Sequence, residues 1–306
     1  MTSDESRRSF TSTRFLPGDY SWFSFYRHKV FIGRLHLDFI ITKYEISSPR
    51  VREPFTCALI TDLHSKCYGN DNEPLLSAVR SEAPDLILCA GDLIVGRPSS
   101  SFRTALSFME RLTDIGPVYF SNGNHETQYR RYAKPRYASF ITKMRQAGVQ
   151  VINNKKEFLQ LGGNAVLIAG LEVSLEKYIK FRKPSCSLAY IENKIGDIRT
   201  SGESPSSDEI FTILMAHNPE FFRTYGEWGA DLTVSGHYHG GVVRSPFTGR
   251  ALLSPYGYPF PKFGVGIKEL SEDCYIIASA GLGDHSIPLR IFDPRELVVI
   301  RVTPKC

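Results

Sequence analysis

Two patterns of apolar residues recur along the chain, and together they predict a mixed α/β fold. Nearly continuous apolar runs, such as residues 85–90 (DLILCA), are typical of strands buried on both faces. Alternation of apolar and polar residues over 35–41 predicts a strand with one exposed face. Further strands are predicted at 55–61, 117–121, 149–152, 158–161, 165–170, 210–215, 231–234, 251–253, 275–280 and 297–302.

Helices are predicted where apolar residues recur every three or four positions. These segments are 20–26, 73–81, 102–112 and 137–147. Residues 172–208 follow neither pattern and end in a Ser-rich polar run, so we interpret them as an inserted loop or lid with one helical piece. Because there are no repeats and no clear linker, we expect one domain, 51–306. A basic and aromatic N-terminal extension, 1–50, leads into its first strand.

The composition excludes several classes of protein. Hydrophobic residues make up 42% of the 306-residue chain and charged residues 23%, unlike a disordered, collagen-like or coiled-coil protein. The best candidate for a membrane span, 30–41, is too short and is interrupted by Arg34, His36 and Asp38. We therefore expect a cytoplasmic protein, in which the six cysteines, having no CxxC spacing, are reduced structural thiols.

Most of the net charge of +5 lies near the N-terminus. Residues 1–52 contain nine Lys and Arg against five Asp and Glu, a surplus of four, and the remaining 254 residues carry only +1. This distribution argues against nucleic acid as a partner. The segment 1–40 has two interpretations: a solvated tail, or a peripheral contact with the anionic inner face of a membrane.

Side chains of the metal-binding type directly follow five of the predicted strands. Open α/β sheets place ligand sites beyond the carboxyl ends of their strands, so these side chains are expected to converge. Carboxylates, imidazoles and one amide suit a pair of Mn, Fe or Zn ions, with Mn favoured, and no cysteine belongs to the set. The residues are Asp62, His64, Asp92, Asn124, His125, Glu126, His217, His237 and His239.

Glycines accompany these side chains. Gly91, Gly123 and Gly236 directly precede a candidate ligand, where a sharp turn off a strand needs a positive φ or a close approach of the backbone. Gly240 and Gly241 follow His239, where they are expected to let the loop fold tightly around the site.

The order of the motifs, D-x-H, G-D, G-N-H-E, H and G-H-x-H, resembles that of the calcineurin-like metallophosphoesterases. The resemblance covers residues 50–302. The C-terminal part, from Gly236 through Gly281-Leu-Gly to Arg290, resembles the bacterial branch typified by YkuE. The resemblance implies a four-layered α/β/β/α sandwich, in which two mixed sheets are flanked by helices.

The resemblance also implies a role for each side chain of the set. A hydroxide bridging two divalent metal ions would attack phosphorus, because the ions lower the pKa of the bound water. His125 would contact the substrate, where it stabilises the transition state or protonates the leaving oxygen. The implied ligands are Asp62, His64 and His239 for one ion, Asn124, His217 and His237 for the other, and Asp92 as the bridge.

Three further residues are candidates for contacts around the ions. Glu126 is expected to orient His125 or its loop through a hydrogen bond, unless it forms a surface salt bridge. His285 and Arg290 follow the Gly281-Leu-Gly turn, and they either reach a substrate phosphate or lie in a loop away from the site. The aromatic run 256–263 either forms an apolar wall for a nucleoside or acyl chain or packs against a sheet edge.

Departures from the family pattern narrow the function. Gly91-Asp92 is not extended by Asp-Arg-Gly, which argues against a protein Ser/Thr phosphatase. Val242 stands where the bacterial branch usually has glutamine, which removes a polar contact. The residues after His239 look like sheet and loop, unlike the capping domain of exonuclease relatives.

These observations predict a metal-dependent phosphohydrolase that cleaves phosphoester or diphosphate bonds in a phosphorylated small molecule. The alternative is a membrane-surface hydrolase of lipid-linked or UDP-diacylglucosamine-type diphosphates, supported by the basic N-terminal segment and the aromatic run. A non-enzyme alternative is a degenerate phosphoesterase scaffold that serves as a binding module. Such scaffolds lose metal ligands, whereas every ligand position is filled here.

Overall fold

The computed structural model describes residues 31–32, 38–198, 209–241, 243–284 and 289–305, which form two sheets and the helices that cover them. The strands, numbered along the chain, are β1 (Phe31–Ile32), β2 (Ile40–Ser48), β3 (Phe55–Ile60), β4 (Leu86–Cys89), β5 (Val118–Phe120), β6 (Gln150–Val151), β7 (Lys155–Leu161), β8 (Asn164–Leu171), β9 (Ile210–Ala216), β10 (Leu232–Ser235), β11 (Gly266–Ser271), β12 (Cys274–Ala278) and β13 (Glu296–Pro304). The helices are α1 (Glu73–Ser81), α2 (Arg103–Thr113), α3 (Asn124–Tyr132), α4 (Lys134–Gln146), α5 (Leu188–Ile195) and α6 (Phe222–Trp228).

Both sheets contain parallel and antiparallel pairs. The first has the order β1-β2-β13-β3-β4-β5-β6, and its strands β3 to β6 run parallel. The second has the order β11-β12-β10-β9-β8-β7, with the antiparallel strands β11 and β7 at its edges. The last strand, β13, lies between β2 and β3, parallel to the former and antiparallel to the latter.

The central strands of the first sheet are buried on both faces, which explains their continuous apolar sequences. In β3, Cys57 and Leu59 pack in the core between the two sheets. The alternate residues Ala58 and Ile60 pack in a separate core on the opposite face. The strand therefore needs apolar residues at successive positions, and β4 follows the same alternation.

Helices cover the outer face of each sheet. Residues of α1, α2 and α4 pack on the outer face of the first sheet, and residues of α5 and α6 pack on the outer face of the second. The layer order is α/β/β/α, so the predicted sandwich of two mixed sheets flanked by helices is confirmed. None of the helices in the described ranges is both long and apolar enough to cross a bilayer.

Some predicted elements differ from those observed. Helix α3 was not predicted, because NHETQYRRY is almost entirely polar and offers no apolar period. Helix α6 and strand β11 were not predicted either. The strand predicted at 251–253 is wrong: this segment makes only isolated bridges, since the chain turns at 254–257 immediately after it. The insertion at 172–208 contains the 3-10 turn Leu175–Tyr178 and helix α5, and its residues 199–208 lie outside the described ranges.

The N-terminal expectations concern a region that is only partly described. The predicted helix 20–26 and most of the basic segment 1–40 lie outside the described residues. Where a strand was predicted at 35–41, the observed strand β2 begins at Ile40 and pairs with β13 over nine residue pairs. The boundary proposed at residue 50 therefore falls between two strands of the first sheet.

We expect the packing between the sheets to dominate stability, and Phe211 on β9 tests this. Its ring is fully buried and lies edge-on to Phe55 of the first sheet, with centroids 5.7 Å apart. Phe211→Ala should lower the free energy of unfolding by about 3–5 kcal/mol, because it leaves a cavity in this core. Chemical denaturation measures the change. Phe158→Ala, at a ring that is 44% exposed on β7, is the control, and an equal loss in both variants would contradict the expectation.

Candidate metal centre

The predicted ligands converge at one end of the two sheets. Each follows the carboxyl end of a strand, and strands from both sheets contribute. The first sheet supplies residues after β3, β4 and β5, and the second supplies residues after β9 and β10. The site therefore lies beyond the carboxyl ends of strands from both sheets, where open α/β sheets are expected to place ligand sites.

One cluster consists of Asp62, His64 and His239, whose ligand atoms lie within 4.8 Å of one another. The Nε2 atoms of His64 and His239 are 3.0 Å apart. The Nε2 atom of His239 lies 3.1 Å from Oδ1 of Asp62. Three donor atoms from three different loop positions thus surround a common point.

A second cluster consists of Asp92, His217 and His237. The Nε2 atom of His217 lies 3.0 Å from Oδ2 of Asp92. The amide oxygen Oδ1 of Asn124 is buried and has no hydrogen-bond partner in the described chain. Buried polar atoms without partners are costly, so the amide oxygen of Asn124 marks a ligand position.

Asp92 connects the two clusters. Its carboxylate also belongs to a third group, with His64 and His125, and His64 is a member of the first cluster. The Nε2 atom of His64 lies 3.9 Å from Oδ2 of Asp92. Asp92 is thus grouped with ligands of both clusters.

Hydrogen bonds to the ring nitrogens assign the histidine tautomers. Nδ1 of His217 lies 2.7 Å from the carbonyl oxygen of Ala90, so Nδ1 carries a proton, and Nε2 is the nitrogen that would bind a metal once the ring is neutral. Nδ1 of His125 instead accepts a hydrogen bond from the backbone N–H of Gly96 at 2.8 Å. The neutral ring of His125 therefore carries its proton on Nε2, which is the arrangement of a donor.

The two aspartates create a strongly negative centre. Burial by itself would raise the pKa of both, but nearby histidines outweigh it: His239 and His217 keep the pKa of Asp62 well below its usual range, and His217 and His125 do so for Asp92. In the opposite sense, burial lowers the pKa of His217 while Asp92 and Asp62 raise it, and the net result is about 10. The carboxylates thus draw positive charge into the site.

Two other ligand histidines are kept neutral. Burial lowers the pKa of His64 to about 3, with a further contribution from His239. Burial, followed by the charge of His217, lowers the pKa of His237 well below its usual value. Metal ligation requires the neutral imidazole, so these surroundings favour the binding form.

The ligand loops are conformationally strained. Five candidate ligands have a left-handed backbone, which is uncommon for residues other than glycine. Such strain persists only where the surrounding structure holds it and is concentrated at functional sites. The residues and their φ angles are Asp62 (52°), His64 (47°), Asp92 (55°), His237 (68°) and His239 (46°).

Two glycines let the loops close around the aspartates. A Cβ atom at Gly123 would lie 2.1 Å from Oδ1 of Asp92, and one at Gly236 would lie 2.2 Å from Oδ2 of Asp62. The sequence offered two reasons for a glycine here, a positive φ or a close approach of the backbone. Neither glycine has a positive φ, so close approach is the reason at both positions.

Glu126 holds the loops together from beneath. It is fully buried, and its carboxylate accepts hydrogen bonds from the backbone N–H groups of Asp92 (2.8 Å), Gly123 (3.0 Å) and Ile94 (3.1 Å). Burial, followed by the charge of Asp92, raises its pKa to about 7. It contacts the backbone of the ligand loops and not the ring of His125.

Of the two residues predicted after Gly281-Leu-Gly, His285 lies outside the described residues, as does Val242. The guanidinium of Arg290 donates to the carbonyl oxygens of Ala280 and Gly283 and forms an ion pair with Asp293. It also lies 3.4 Å from Nδ1 of His239. Its contact with a substrate phosphate stays a prediction.

Two tyrosines lie beside the second cluster: Tyr256, which belongs to the aromatic run 256–263 expected to form an apolar wall or to pack against a sheet edge, and Tyr178, for which the sequence predicted no role. The rings of Tyr178 and Tyr256 lie edge-on to His237, with centroid distances of 4.7 and 5.8 Å. Burial raises the pKa of Tyr178 well above its usual value, so the phenol stays protonated. No spacing rule connects these residues to His237, and the only signal was the density of aromatic residues at 256–263.

The donor set fits two divalent cations. It presents carboxylate and imidazole donors in two clusters that share Asp92, and the buried amide oxygen of Asn124 has no partner in the described chain. Within the described chain no cysteine joins these clusters, which suits borderline metals over thiolate-seeking ones.

Comparison with known proteins agrees with this geometry. The family model of calcineurin-like phosphoesterases matches residues 55–241, more than half of the chain and the whole stretch from Asp62 to His239. The chain belongs to the calcineurin-like phosphoesterase family. It is a metallophosphoesterase, and members of this family hydrolyse phosphoesters with a dinuclear metal centre.

The relatives of this metallophosphoesterase include two proteins of Bacillus subtilis (strain 168). YpbG is 27% identical over 270 residues, which cover 86% of each chain. The metallophosphoesterase YkuE is 25% identical over 266 residues, which cover 84% of this chain and 83% of YkuE. Among solved structures, the calcineurin-like phosphoesterase YfkN from Bacillus subtilis is 14% identical with a TM-score of 0.46, and the match covers 76% of this chain and 83% of YfkN.

Glu126→Gln tests whether this carboxylate maintains the metal centre. An amide group can offer only one oxygen to the three N–H groups, and its NH₂ faces a donor, so the loops carrying Asp92 and Asn124 should shift. We expect the affinity for Mn²⁺ to fall about 10- to 100-fold, as measured by calorimetry. Glu110→Gln, at an exposed glutamate of α2, is the control. Unchanged Mn²⁺ affinity in Glu126→Gln would contradict this role.

Proposed function

We propose that this metallophosphoesterase cleaves phosphoester or diphosphate bonds by direct attack of water at a two-metal site. The observation that supports the proposal best is the pair of ligand clusters joined by Asp92, with His125 beside them. In the proposed assignment, one cation is held by Asp62, His64 and His239, the other by Asn124, His217 and His237, and Asp92 lies between them. Two divalent cations there would acidify a water molecule between them and neutralise the charge on the phosphate oxygens.

His125 is the proposed catalytic donor. Its side chain is 24% exposed, whereas those of His64, His217 and His239 are at most 7% exposed, so it faces the opening of the site. Its Nε2 atom lies 3.9 Å from Oδ2 of Asp92. Because the hydrogen bond from Gly96 leaves the proton on Nε2, His125 can donate to a phosphate oxygen or protonate the leaving oxygen.

Manganese is the proposed metal. The ligands are hard carboxylate and amide oxygens together with imidazole nitrogens, a mixture that suits Mn, Fe or Zn.

The five cysteines in the described ranges are unpaired, which supports the proposed cytoplasmic location, where thiols stay reduced.

A phosphorylated small molecule is the proposed substrate. The second candidate is a lipid-linked diphosphate of the UDP-diacylglucosamine type, with the enzyme peripheral at the inner face of the membrane. The exposed rings of Phe181, Phe247 and Phe260 favour this candidate, since Phe260 lies in the same run as Tyr256, which packs against His237. A binding module without activity would not need the complete donor set and the strained ligand loops.

Hydrolysis of p-nitrophenyl phosphate and its bis-ester tests the enzyme assignment. We expect activity that chelation removes and Mn²⁺ restores, because the carboxylate-rich site needs cations to accept an anionic substrate. Asp92→Ala should lower the metal content and abolish this activity together. Asp114→Ala, at an exposed aspartate, is the control. A lack of activity with every divalent ion across a phosphoester panel would refute the proposal.

His125→Ala separates catalysis from metal binding. The variant should keep its bound metal, measured by elemental analysis, while kcat falls about 10²- to 10⁴-fold, because only the proton donor is lost. If the metal content falls as far as in Asp92→Ala, His125 acts as a ligand and the assigned role is wrong.

A further inference from the structure

The exposed apolar side chains are concentrated beside the metal centre. Among the large hydrophobic residues that are exposed in the described chain, eight of ten lie in the three loops 179–183, 243–263 and 289–292. We call these loops the aromatic rim. The eight residues are Ile179, Phe181, Phe247, Leu253, Phe260, Leu289, Ile291 and Phe292.

The rim is one connected surface. The backbone N–H of Phe181 donates to the carbonyl oxygen of Tyr256 at 2.8 Å, which joins the first loop to the second. The N–H of Arg244 donates to the carbonyl oxygen of Ile291 at 3.0 Å, which joins the second loop to the third. A cavity of about 500 Å³ opens in the rim, and Phe181 and Phe260 are among its lining residues.

The rim adjoins the metal ligands directly. Tyr256, in the second loop, packs against the ring of His237. Arg290, in the third loop, lies 3.4 Å from Nδ1 of His239. Any surface on which the rim rests is therefore brought to the opening of the catalytic site.

The three loops of the rim carry basic side chains and no acidic ones. Residues 179–183, 243–263 and 289–292 contain seven Lys and Arg and no Asp or Glu. This bias contrasts with the near balance of the chain as a whole, with 37 basic and 32 acidic residues. The exposed members are Lys180, Arg182, Lys183, Arg250 and Lys262. Among the described residues that line the cavity, the one acidic residue is Glu220, whose carboxylate accepts a hydrogen bond from Tyr238.

We propose that the aromatic rim docks this enzyme on an anionic lipid bilayer. Phe181, Phe247 and Phe260 are 75–84% exposed, an unfavourable state in water that insertion among lipid headgroups relieves. The surrounding cations complement anionic headgroups, each contributing attraction near the surface. The surface differs from the N-terminal segment suggested by the overall charge. It also presents the metal centre to headgroup phosphates, a consequence that rests on the proposed function.

Vesicle flotation of the full chain tests the docking surface. Wild-type protein should float with vesicles of phosphatidylcholine and phosphatidylglycerol, and less with phosphatidylcholine alone. The double variant Phe247→Ser, Phe260→Ser should partition at least about tenfold more weakly, because two exposed aromatic anchors are removed. The matched control is Tyr132→Ser, Phe158→Ser, at two exposed aromatic residues outside the rim. A charge variant, Lys183→Glu with Arg250→Glu, should lose the preference for phosphatidylglycerol.

Several results would overturn the docking surface. Equal flotation of the rim and control variants would do so, as would an absence of flotation with either vesicle, which would leave an acidic protein as the partner of the rim. Loss of flotation only in the full-length variant Arg7→Ser, Arg8→Ser, Arg14→Ser would assign the contact to the N-terminal segment instead. The rim variants should keep wild-type hydrolysis of p-nitrophenyl phosphate. If the proposed function is wrong, the wild type and every variant lack this activity, while their flotation is unchanged.

Discussion

Two buried carboxylates, Asp62 and Asp92, lie where the ends of the two sheets meet, and the surrounding structure is arranged to compensate their charge. An isolated carboxylate in such a place is prohibitively costly unless hydrogen bonds and cations surround it. The backbone N–H of His237 points at both oxygens of Asp62, and the N–H of His125 donates to Oδ1 of Asp92 at 2.8 Å. The left-handed ligand loops and the closely packed glycines follow from this need, since they bring donors within reach.

The need to compensate these two buried carboxylates also explains why both sheets are required to build the site. Asp62 and Asp92 follow strands of the first sheet, whereas His237 follows a strand of the second. Gly236 packs against Asp62 so closely that a methyl group would collide with its carboxylate. The two sheets are thus joined at this end by the ligands themselves, in addition to the apolar core between them. A shift of one sheet relative to the other would separate donors from acceptors before it exposed much apolar surface.

Much of this arrangement could be predicted from the sequence, because it depends on local patterns. Buried strands require apolar runs, and polar residues at strand ends mark the site, so the mixed α/β fold and the residues that gather there were accessible. The four-layered sandwich was implied by the family resemblance. The strained backbone at Asp62 and Asp92 could not be predicted, since a left-handed φ in a non-glycine residue has no sequence signature. Helix α3 was missed because its stability comes from tertiary contacts such as those of Glu126. Tyr178 and Tyr256 are distant from His237 in sequence and contact it only because the fold brings their loops together.

The position of β13 has a consequence for how the molecule is assembled. This strand separates β2 from β3, and Glu296 at its start accepts a hydrogen bond from Thr42, 254 positions earlier. The same carboxylate accepts the backbone N–H of Ala280, and the N–H of Glu296 donates to Gly281, which packs on Asp62. During synthesis, β2 and β3 therefore lack the strand that lies between them until β13 has emerged, more than 230 residues after β3. Since closure of such long loops is slow, the wall behind Asp62 is among the last parts of the molecule to form.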